Sequence, residues 1–279
     1  MTQMRQLFAR AGVVVLVAGA PVNAADGVVH ARMVGRRPAL VAVWSAGQAS
    51  AGGRGPTPAG IPTPDAQQLR QYHDRIVTAA RRLPPQVSLA ELLRVVLPEG
   101  SGPEFSSRLV DDHRSALFAL AFYVNGWGLG AFVPEARDWP KAVRRNVTVR
   151  GRHDLAQHFT VSAVIAAFAG TAIANAAGLY KEMDDARRGS GFSFSDLVAD
   201  RAGTMFGEMA TRSRDSARHL QTLVGGRLTE DDMMPTIEGL PDNLSQAEFV
   251  RRFGGVGAPA YNQIVEDIER RVSGLTLFK

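Results

Sequence analysis

Residues 152–207 read RHDLAQHFTVSAVIAAFAGTAIANAAGLYKEMDDARRGSGFSFSDLVADRAGTMFG, and this stretch decides the predicted fold. Runs of small apolar residues alternate in it with clusters of His, Lys, Asp and Glu. Long uncharged runs with helix-compatible composition are typical of buried helices. We therefore expect several of the ionisable side chains to converge at one end of a helical bundle.

Two arrangements compete for residues 154–186. In one straight helix, His158 and Glu182 would lie roughly 36 Å apart and could share no site. A break at Gly170-Thr171 is the alternative, because Gly ends helices and Thr caps the start of the next one. The resulting helical hairpin would place His158 and Glu182 on helices about 8–10 Å apart. The hairpin is our prediction, and a membrane-spanning helix over residues 159–180, which carry no charge, remains a further alternative.

The first predicted helix carries Asp154, His158 and Ser162 on one face, since they are spaced four residues apart. A carboxylate one turn away orients an imidazole and makes it more basic. His158 is therefore the candidate general base. The HExxH spacing of two-histidine zinc sites is absent from the sequence.

Acidic residues dominate the rest of the stretch. Glu182 and Asp185 follow Lys181 on the second predicted helix, three residues apart. Asp196 and Asp200 are one turn apart on a third helix, so they share a face. One histidine with several carboxylates suits either a general acid/base pair or a hard divalent cation. On this hypothesis His158 and Glu182 are catalytic, and Asp185, Asp196 and Asp200 bind the metal.

The alternative is a structural network without chemistry. Lys181, Arg187, Arg188 and Arg201 would then neutralise the acids in partly buried ion pairs. Ser193 and Asp196 would form a capping box for the third helix. Gly203, with Gly207 on the same side, would let a neighbouring backbone approach closely. The residues predicted to have structural roles are Asp154, Ser162, Lys181, Ser193 and Gly203.

The order of these residues resembles the YfiM-type family of predicted periplasmic lipoproteins. It is Asp154-x-x-x-His158-Phe159, Lys181-Glu182-x-x-Asp185, Ser190-Gly191-Phe192-Ser193, then Asp196, Asp200 and Gly203. The stretch is more distantly similar to VanZ-like membrane proteins. The resemblance covers about residues 152–207 and implies an extracytoplasmic helical domain of unknown activity. It does not extend to a lipidated N-terminus, because the chain has no cysteine.

The N-terminus has the layout of a secretory signal. Residues 1–10 carry two arginines, residues 11–20 are apolar, and Val22-Asn23-Ala24 offers small residues for cleavage after Ala24. Residues 25–64 are rich in Gly, Pro, Ala and Ser, which predicts a flexible linker, with one short strand or helix between Ala39 and Trp44. The predicted location is therefore periplasmic or secreted.

Helices are predicted through the remaining chain, in a helical domain over residues 65–226 and a C-terminal helical extension over 227–279 that packs on it. Asp65, Ser88 and Ser245 are the predicted N-caps. A longer helix is predicted over residues 104–125, and Asp111-Asp112-His113-Arg114 is expected to be an exposed turn of it with local ion pairs. A second uncharged run, Ser115 to Val133, is long enough for a membrane span but is interrupted by glycines. The predicted fold class is all-α: an irregular helical bundle with a central hairpin and a flexible N-terminal tether.

Composition excludes several functions. Without cysteine there is no disulfide, thiol nucleophile or thiolate metal site. The net charge of +5 is spread among charges of alternating sign, so we do not expect a nucleic-acid partner. No G-x-S-x-G, P-loop or dinucleotide motif occurs.

The sequence therefore predicts an envelope protein whose central motif is a structural or interaction site. A metal-assisted or acid/base hydrolase acting on an envelope component is the first alternative, and a small helical membrane protein is the second. A divalent metal ion is the one cofactor under consideration, and an envelope component, a protein or the membrane is the expected partner.

Overall fold

A computed structural model of the chain describes residues 29–34, 37–42, 64–97, 103–170, 191–226 and 228–279. The signal sequence predicted for residues 1–24 and the second arm of the predicted hairpin, including Lys181, Glu182 and Asp185, lie outside these ranges. The chain divides into two units, Met1–Thr63 and Pro64–Lys279.

The first unit contains an antiparallel β-hairpin. Strand β1, Val29–Val34, pairs with strand β2, Arg37–Ala42, so that Val29 is opposite Ala42 and Val34 is opposite Arg37. Strand β2 overlaps the short strand or helix predicted between Ala39 and Trp44, whereas β1 lies where the sequence predicts a flexible linker. The Val-rich segments VHARMV and RPALVA have the β-branched residues that strands favour, a local signal that the Gly- and Pro-rich composition of the whole stretch conceals.

The second unit begins with two helices whose starts follow the predicted caps. Helix α1, Ala66–Arg82, starts at Asp65, whose carboxylate accepts from the N–H groups of Gln67 and Gln68 at 2.9 and 3.0 Å. Strand β3, Gln86–Ser88, leads directly into helix α2, Leu89–Val96, where Ser88 Oγ accepts from the Glu91 N–H. The N-cap predictions at Asp65 and Ser88 are confirmed, as is the one at Ser245, whose Oγ accepts from the Glu248 N–H at 3.3 Å.

Three longer helices form the centre of the unit. Helix α3 spans Pro103–Asn125, helix α4 spans His153–Ala169 and helix α5 spans Phe194–Thr211. Helix α4 ends at Gly170, whose φ of 92° is readily adopted only by glycine. A straight helix through residue 186 is therefore wrong, and the predicted end of the first hairpin arm is confirmed.

Helices α4 and α5 pack closely because two glycines remove side chains from their interface. A Cβ atom added to Gly203 would lie 2.1 Å from the Phe159 carbonyl oxygen, and one added to Gly207 would lie 2.1 Å from that of Ala163. The close approach predicted at Gly203 is confirmed. It sets the distance between the two faces that carry the ionisable residues.

The remaining elements surround this centre. Two short 3-10 helices, Leu129–Ala131 and Pro134–Asp138, precede strand β4, Asn146–Thr148, which pairs with β3 in parallel. Four further helices complete the bundle: α6 (Arg214–Gly225), α7 (Glu230–Met233), α8 (Gln246–Phe253) and α9 (Pro259–Ser273). A 3-10 turn, Thr276–Phe278, follows α9. Helices α8 and α9 pack against the start of α5 through a cluster of aromatic rings. Its members are Phe192, Phe194, Phe249, Phe253 and Tyr261. The unit is an all-α bundle, as predicted.

The segment Asp111–Arg114 lies within helix α3, which confirms the predicted helix over residues 104–125. Its predicted exposure is wrong for Asp112 and His113, which are buried. Only Asp111 and Arg114 form the local ion pair that was expected, at 2.9 Å. One face of this segment points into the bundle because α3 is covered on several sides by α1, α4, α5 and α6.

No helix in the described ranges is long and apolar enough to cross a membrane. Helix α3 ends at Asn125, within the uncharged run 115–133, and α4 ends at Ala169, within the run 159–180.

Candidate functional site: a buried histidine between two aspartates

The facing sides of α4 and α5 bring His158 between two carboxylates. Its Nδ1 lies 3.2 Å from Asp200 Oδ1, and its Nε2 lies 3.4 Å from Asp196 Oδ2. All three residues are buried, with His158 only 7% exposed. Asp196 and Asp200 are one helical turn apart, so their carboxylates reach the two sides of one imidazole ring. The predicted convergence of these three residues is confirmed.

Both ring nitrogens of His158 therefore face acceptors. A neutral imidazole has a single N–H and can donate to one carboxylate, whereas an imidazolium donates to both. Two ionised carboxylates facing each other across a buried space would also repel one another. A positive charge on the ring would therefore stabilise the two carboxylates of Asp196 and Asp200 together. His158 and Asp196 each make further interactions besides the contacts given above.

Ser162 completes the buried end of the site. Its hydroxyl donates to Asp200 Oδ1 at 2.7 Å, one turn along α4 from His158. The other oxygen, Asp200 Oδ2, is buried and has no hydrogen-bond partner among the residues that the structure describes. An unpartnered carboxylate oxygen in a protein interior is costly, so this atom is the chemically unusual point of the site.

Arg152 connects the buried end of the site to the surface. Its guanidinium donates to Asp154 Oδ2 at 2.5 Å, to Asp242 Oδ2 at 2.7 Å and to Ser195 Oγ at 2.8 Å. It also lies 3.4 Å from Asp196 Oδ1. Arg152 precedes the first residue of α4, whereas its partners come from α4, α5 and the segment before α8, so one side chain joins three parts of the fold.

Arg152 and Asp154 stabilise the charged form of each other. Hydrogen bonding to Asp154, against the opposing effect of burial, raises the pKa of Arg152 above its ordinary value. Burial raises the pKa of Asp154, but the hydrogen bond and charge of Arg152 outweigh it and hold that pKa below its ordinary range. Both groups are therefore charged at neutral pH.

The predicted pairing of Asp154 with His158 is wrong. Asp154 turns towards Arg152. His158 takes its carboxylate partners from α5, because the close packing at Gly203 and Gly207 brings that helix within reach. Arg201, expected to neutralise the acids of the site, pairs instead with Glu269 of helix α9 at 2.7 Å.

The predicted capping box of α5 is also wrong. Ser193 occupies the N-cap position but makes no side-chain capping bond; its hydroxyl accepts from the Asn243 N–H at 3.2 Å. The first turn is capped from a distant segment: Asp242 Oδ1 accepts from the Ser195 N–H at 3.1 Å, and the Pro241 carbonyl accepts from the Phe194 N–H at 3.0 Å. A carboxylate at a helix N-terminus also interacts favourably with the helix dipole.

Sequence reasoning missed three members of the cluster, namely Arg152, Ser195 and Asp242. Arg152 and Ser195 lie inside the stretch 152–207 but fit no motif. Asp242 is 90 residues from Arg152 in sequence, and its only local signal is its place in the short polar run Pro241-Asp242-Asn243. Turn-forming residues in such a run are not distinguishable from an ordinary loop.

The metal hypothesis concerned Asp185, Asp196 and Asp200. In the part of the chain that the structure describes, no three His, Asp or Glu side chains are grouped so that they could hold a metal ion. Asp185 and the second proposed catalytic residue, Glu182, lie outside the described ranges, so the complete set stays a prediction.

Comparisons with models of protein families, with curated proteins and with solved structures gave no match to this chain.

Proposed function

We propose that the chain is a cell-envelope protein, exported from the cytoplasm, in which the cluster around His158 is a structural centre. The cluster holds the N-termini of α4 and α5 and the segment 241–244 in one arrangement. The surface that these elements form together is then available to an envelope component or a protein partner. The likeness of residues 152–207 to YfiM-type lipoproteins supports the same location.

The network of partners within the site is the observation that carries this proposal. His158 has a carboxylate at each ring nitrogen, and Arg152 has partners in three segments of the chain. The hydrogen-bonding groups of His158 and Arg152 that bind these partners are not offered to a substrate. Buried polar networks of this kind specify how elements are arranged, and removing one member leaves an uncompensated charge behind.

Replacing His158 tests the structural role. His158→Ala leaves Asp196 and Asp200 without the ring between them, and we expect the free energy of unfolding to fall by about 3 kcal/mol. The measurement is chemical denaturation followed by circular dichroism. Asp111→Ala is the control, because this exposed residue of α3 has only a local ion pair and should change stability by less than about 0.5 kcal/mol. Equal stability of the two variants would refute the structural role.

An acid/base or metal-assisted hydrolase is the second candidate. The unpartnered Asp200 Oδ2 next to His158 favours it, since a buried carboxylate oxygen without a partner is available to a proton, a water molecule or a cation. Melting of the purified protein with and without a chelator separates the metal-assisted version of this candidate from the structural proposal. The structural proposal expects the same melting temperature in both, whereas a metal centre requires a fall in the chelated sample.

Export has a test of its own. If residues 1–24 are a signal sequence, the protein recovered from the periplasm or medium begins at Ala25, and this N-terminus is read by mass spectrometry. Protein that starts at Met1 and stays in the cytoplasm would contradict export and leave the structural role of His158 unaffected.

A further inference from the structure

A second candidate site is lined by other residues than the aspartates and His158. It is a cavity of about 620 Å³ between α1, the C-terminal end of α3 and the loop that follows α3. This volume is in the range of pockets that bind small organic molecules. None of the described residues of the predicted site, such as His158, Asp196 and Asp200, lines it.

Aromatic side chains make up much of the cavity wall. Phe122 and Trp127 meet edge to face with ring centres 5.6 Å apart, and Trp139 packs beside His73 at 5.4 Å. The loop is fixed to α1, because His73 Nε2 lies 2.7 Å from the Pro140 carbonyl oxygen. The wall is thus formed in the folded protein and presents flat apolar surfaces.

The charge of the cavity is of one sign. Arg137, Lys141 and Arg144 line it, and no Asp or Glu among the described residues does. Glu135 and Asp138 are neighbours in sequence but are not part of the lining. None of the three cations forms a salt bridge with a residue in the described ranges.

The three cations are not equivalent. Arg144 donates to the Tyr123 carbonyl oxygen and lies 5.6 Å over the Tyr123 ring, so it covers the C-terminal end of α3. This is a common structural role for arginine at a helix C-terminus. Arg137 and Lys141 have no such bond among the described residues, and both are exposed at the rim of the cavity.

We propose that this cavity binds a small organic anion with an aromatic or flat apolar body, such as an aryl sulfonate or carboxylate. The body would stack against the partly exposed ring of Trp127, and the anionic group would lie near Arg137 and Lys141. Uncompensated cations beside an apolar wall favour this class over neutral or cationic compounds. The inference is independent of the role of His158.

Two naphthalene dyes that differ by one sulfonate provide the probe. The full chain is titrated with 1-anilinonaphthalene-8-sulfonate and with neutral N-phenyl-1-naphthylamine, and dye fluorescence is followed. We expect one saturable site that binds the sulfonate about tenfold more tightly than the neutral dye. Equal affinities, or no saturable binding of the sulfonate, would overturn the proposal.

Charge variants localise the binding. Arg137→Gln with Lys141→Gln should weaken binding of the sulfonate about tenfold and leave the neutral dye unchanged. The matched control is Arg82→Gln with Arg94→Gln, which removes the same charge from a separate surface cleft and should leave both affinities unchanged. If the two double variants behave alike, the sulfonate does not bind in this cavity.

A filling variant tests the apolar wall. Gly128 lines the cavity in an ordinary extended conformation, with φ −87°, and a Cβ atom there would meet nothing within 4 Å. Gly128→Leu should therefore fold and weaken binding of both dyes, whereas Gly225→Leu, at an equally open glycine outside the cavity, should not. Unchanged binding to a folded Gly128→Leu variant, as judged by its circular dichroism, would overturn the proposal. If that variant does not fold, the charge variants decide.

Discussion

His113 is a buried imidazole that the proposed site does not use. It lies inside α3 with no exposed surface, and its Nδ1 is 2.9 Å from the Ala210 carbonyl oxygen of α5. Its Nε2 is buried and has no partner in the described part of the chain. Burial, only partly offset by the bond to Ala210, lowers the pKa of His113 to about 4. The ring is therefore neutral in the folded protein at ordinary pH, with the proton on Nδ1.

This depressed pKa predicts a loss of stability in mild acid. Below about pH 6.5 the unfolded chain binds a proton at His113 that the folded chain does not bind until about pH 4. Because the unfolded state takes up the proton first, the contribution of the neutral His113 ring to the free energy of unfolding is fully present above pH 6.5. This free energy falls by on the order of 3 kcal/mol in total as the pH decreases from 6.5 to 4.

Denaturation with urea between pH 7 and pH 4.5 measures this loss. His113→Gln can keep a donor for Ala210 but does not titrate, so its free energy of unfolding should depend less on pH than that of the wild type. His219→Gln is the control, since His219 is exposed on α6. Identical pH dependence in all three proteins would show that His113 is not the group responsible.

At the level of secondary-structure elements, the contact between α4 and α5 depends on the absence of two side chains. Gly203→Ala would place a methyl group against the Phe159 backbone of the opposite helix. We expect a loss of about 2 kcal/mol, because overpacking outweighs the better helix propensity of alanine. Thermal denaturation of the variant measures the change.

Gly225→Ala is the matched control for this prediction. Gly225 is also helical, but its added Cβ would meet nothing within 4 Å, so this variant should be neutral or slightly stabilised. A Gly203→Ala variant as stable as Gly225→Ala would mean that α4 and α5 can move apart without a loss of stability. The site would then not depend on their close packing.

On the scale of the whole molecule, the C-terminal residues complete the unit that begins at Pro64. Tyr261, Ile268 and Val272 of α9 are buried, and Tyr261 packs against Phe194 at the start of α5. The Arg201–Glu269 pair adds a second link between α5 and α9. The predicted C-terminal extension is thus part of the core around the N-terminus of α5.

Deleting residues 259–279 should therefore destabilise the entire unit. Exposure of Phe192 and Phe194 removes the support of the α5 N-terminus, and each buried aromatic side chain lost from a core costs about 3 kcal/mol. We expect the truncated chain to lose its cooperative thermal transition and to be cleaved within α5 by limited proteolysis. Removal of exposed Lys279 alone is the control; a truncated chain that melts like this control would contradict the prediction.

Much of the local structure could be predicted from the sequence. The caps at Asp65 and Ser88, the end of α4 at Gly170 and the shared face of Asp196 and Asp200 depend on neighbours within one or two turns. Such features follow from backbone geometry and short-range hydrogen bonds, which the order of residues specifies directly. Strand β1 and its pairing with β2 were missed, because composition was averaged over a longer stretch.

The sequence by itself determined an all-α fold and which side chains of each helix lie on the same face. Only the tertiary structure decided their partners: Asp154 binds Arg152 and not His158, and Asp242 rather than Ser193 caps α5. Each charged side chain has several oppositely charged residues near it in sequence, and the ion pairs that it could form with them have similar energies. The packing of α4 against α5 at Gly203 and Gly207 selects among them, because it fixes which distant carboxylate comes within hydrogen-bonding distance.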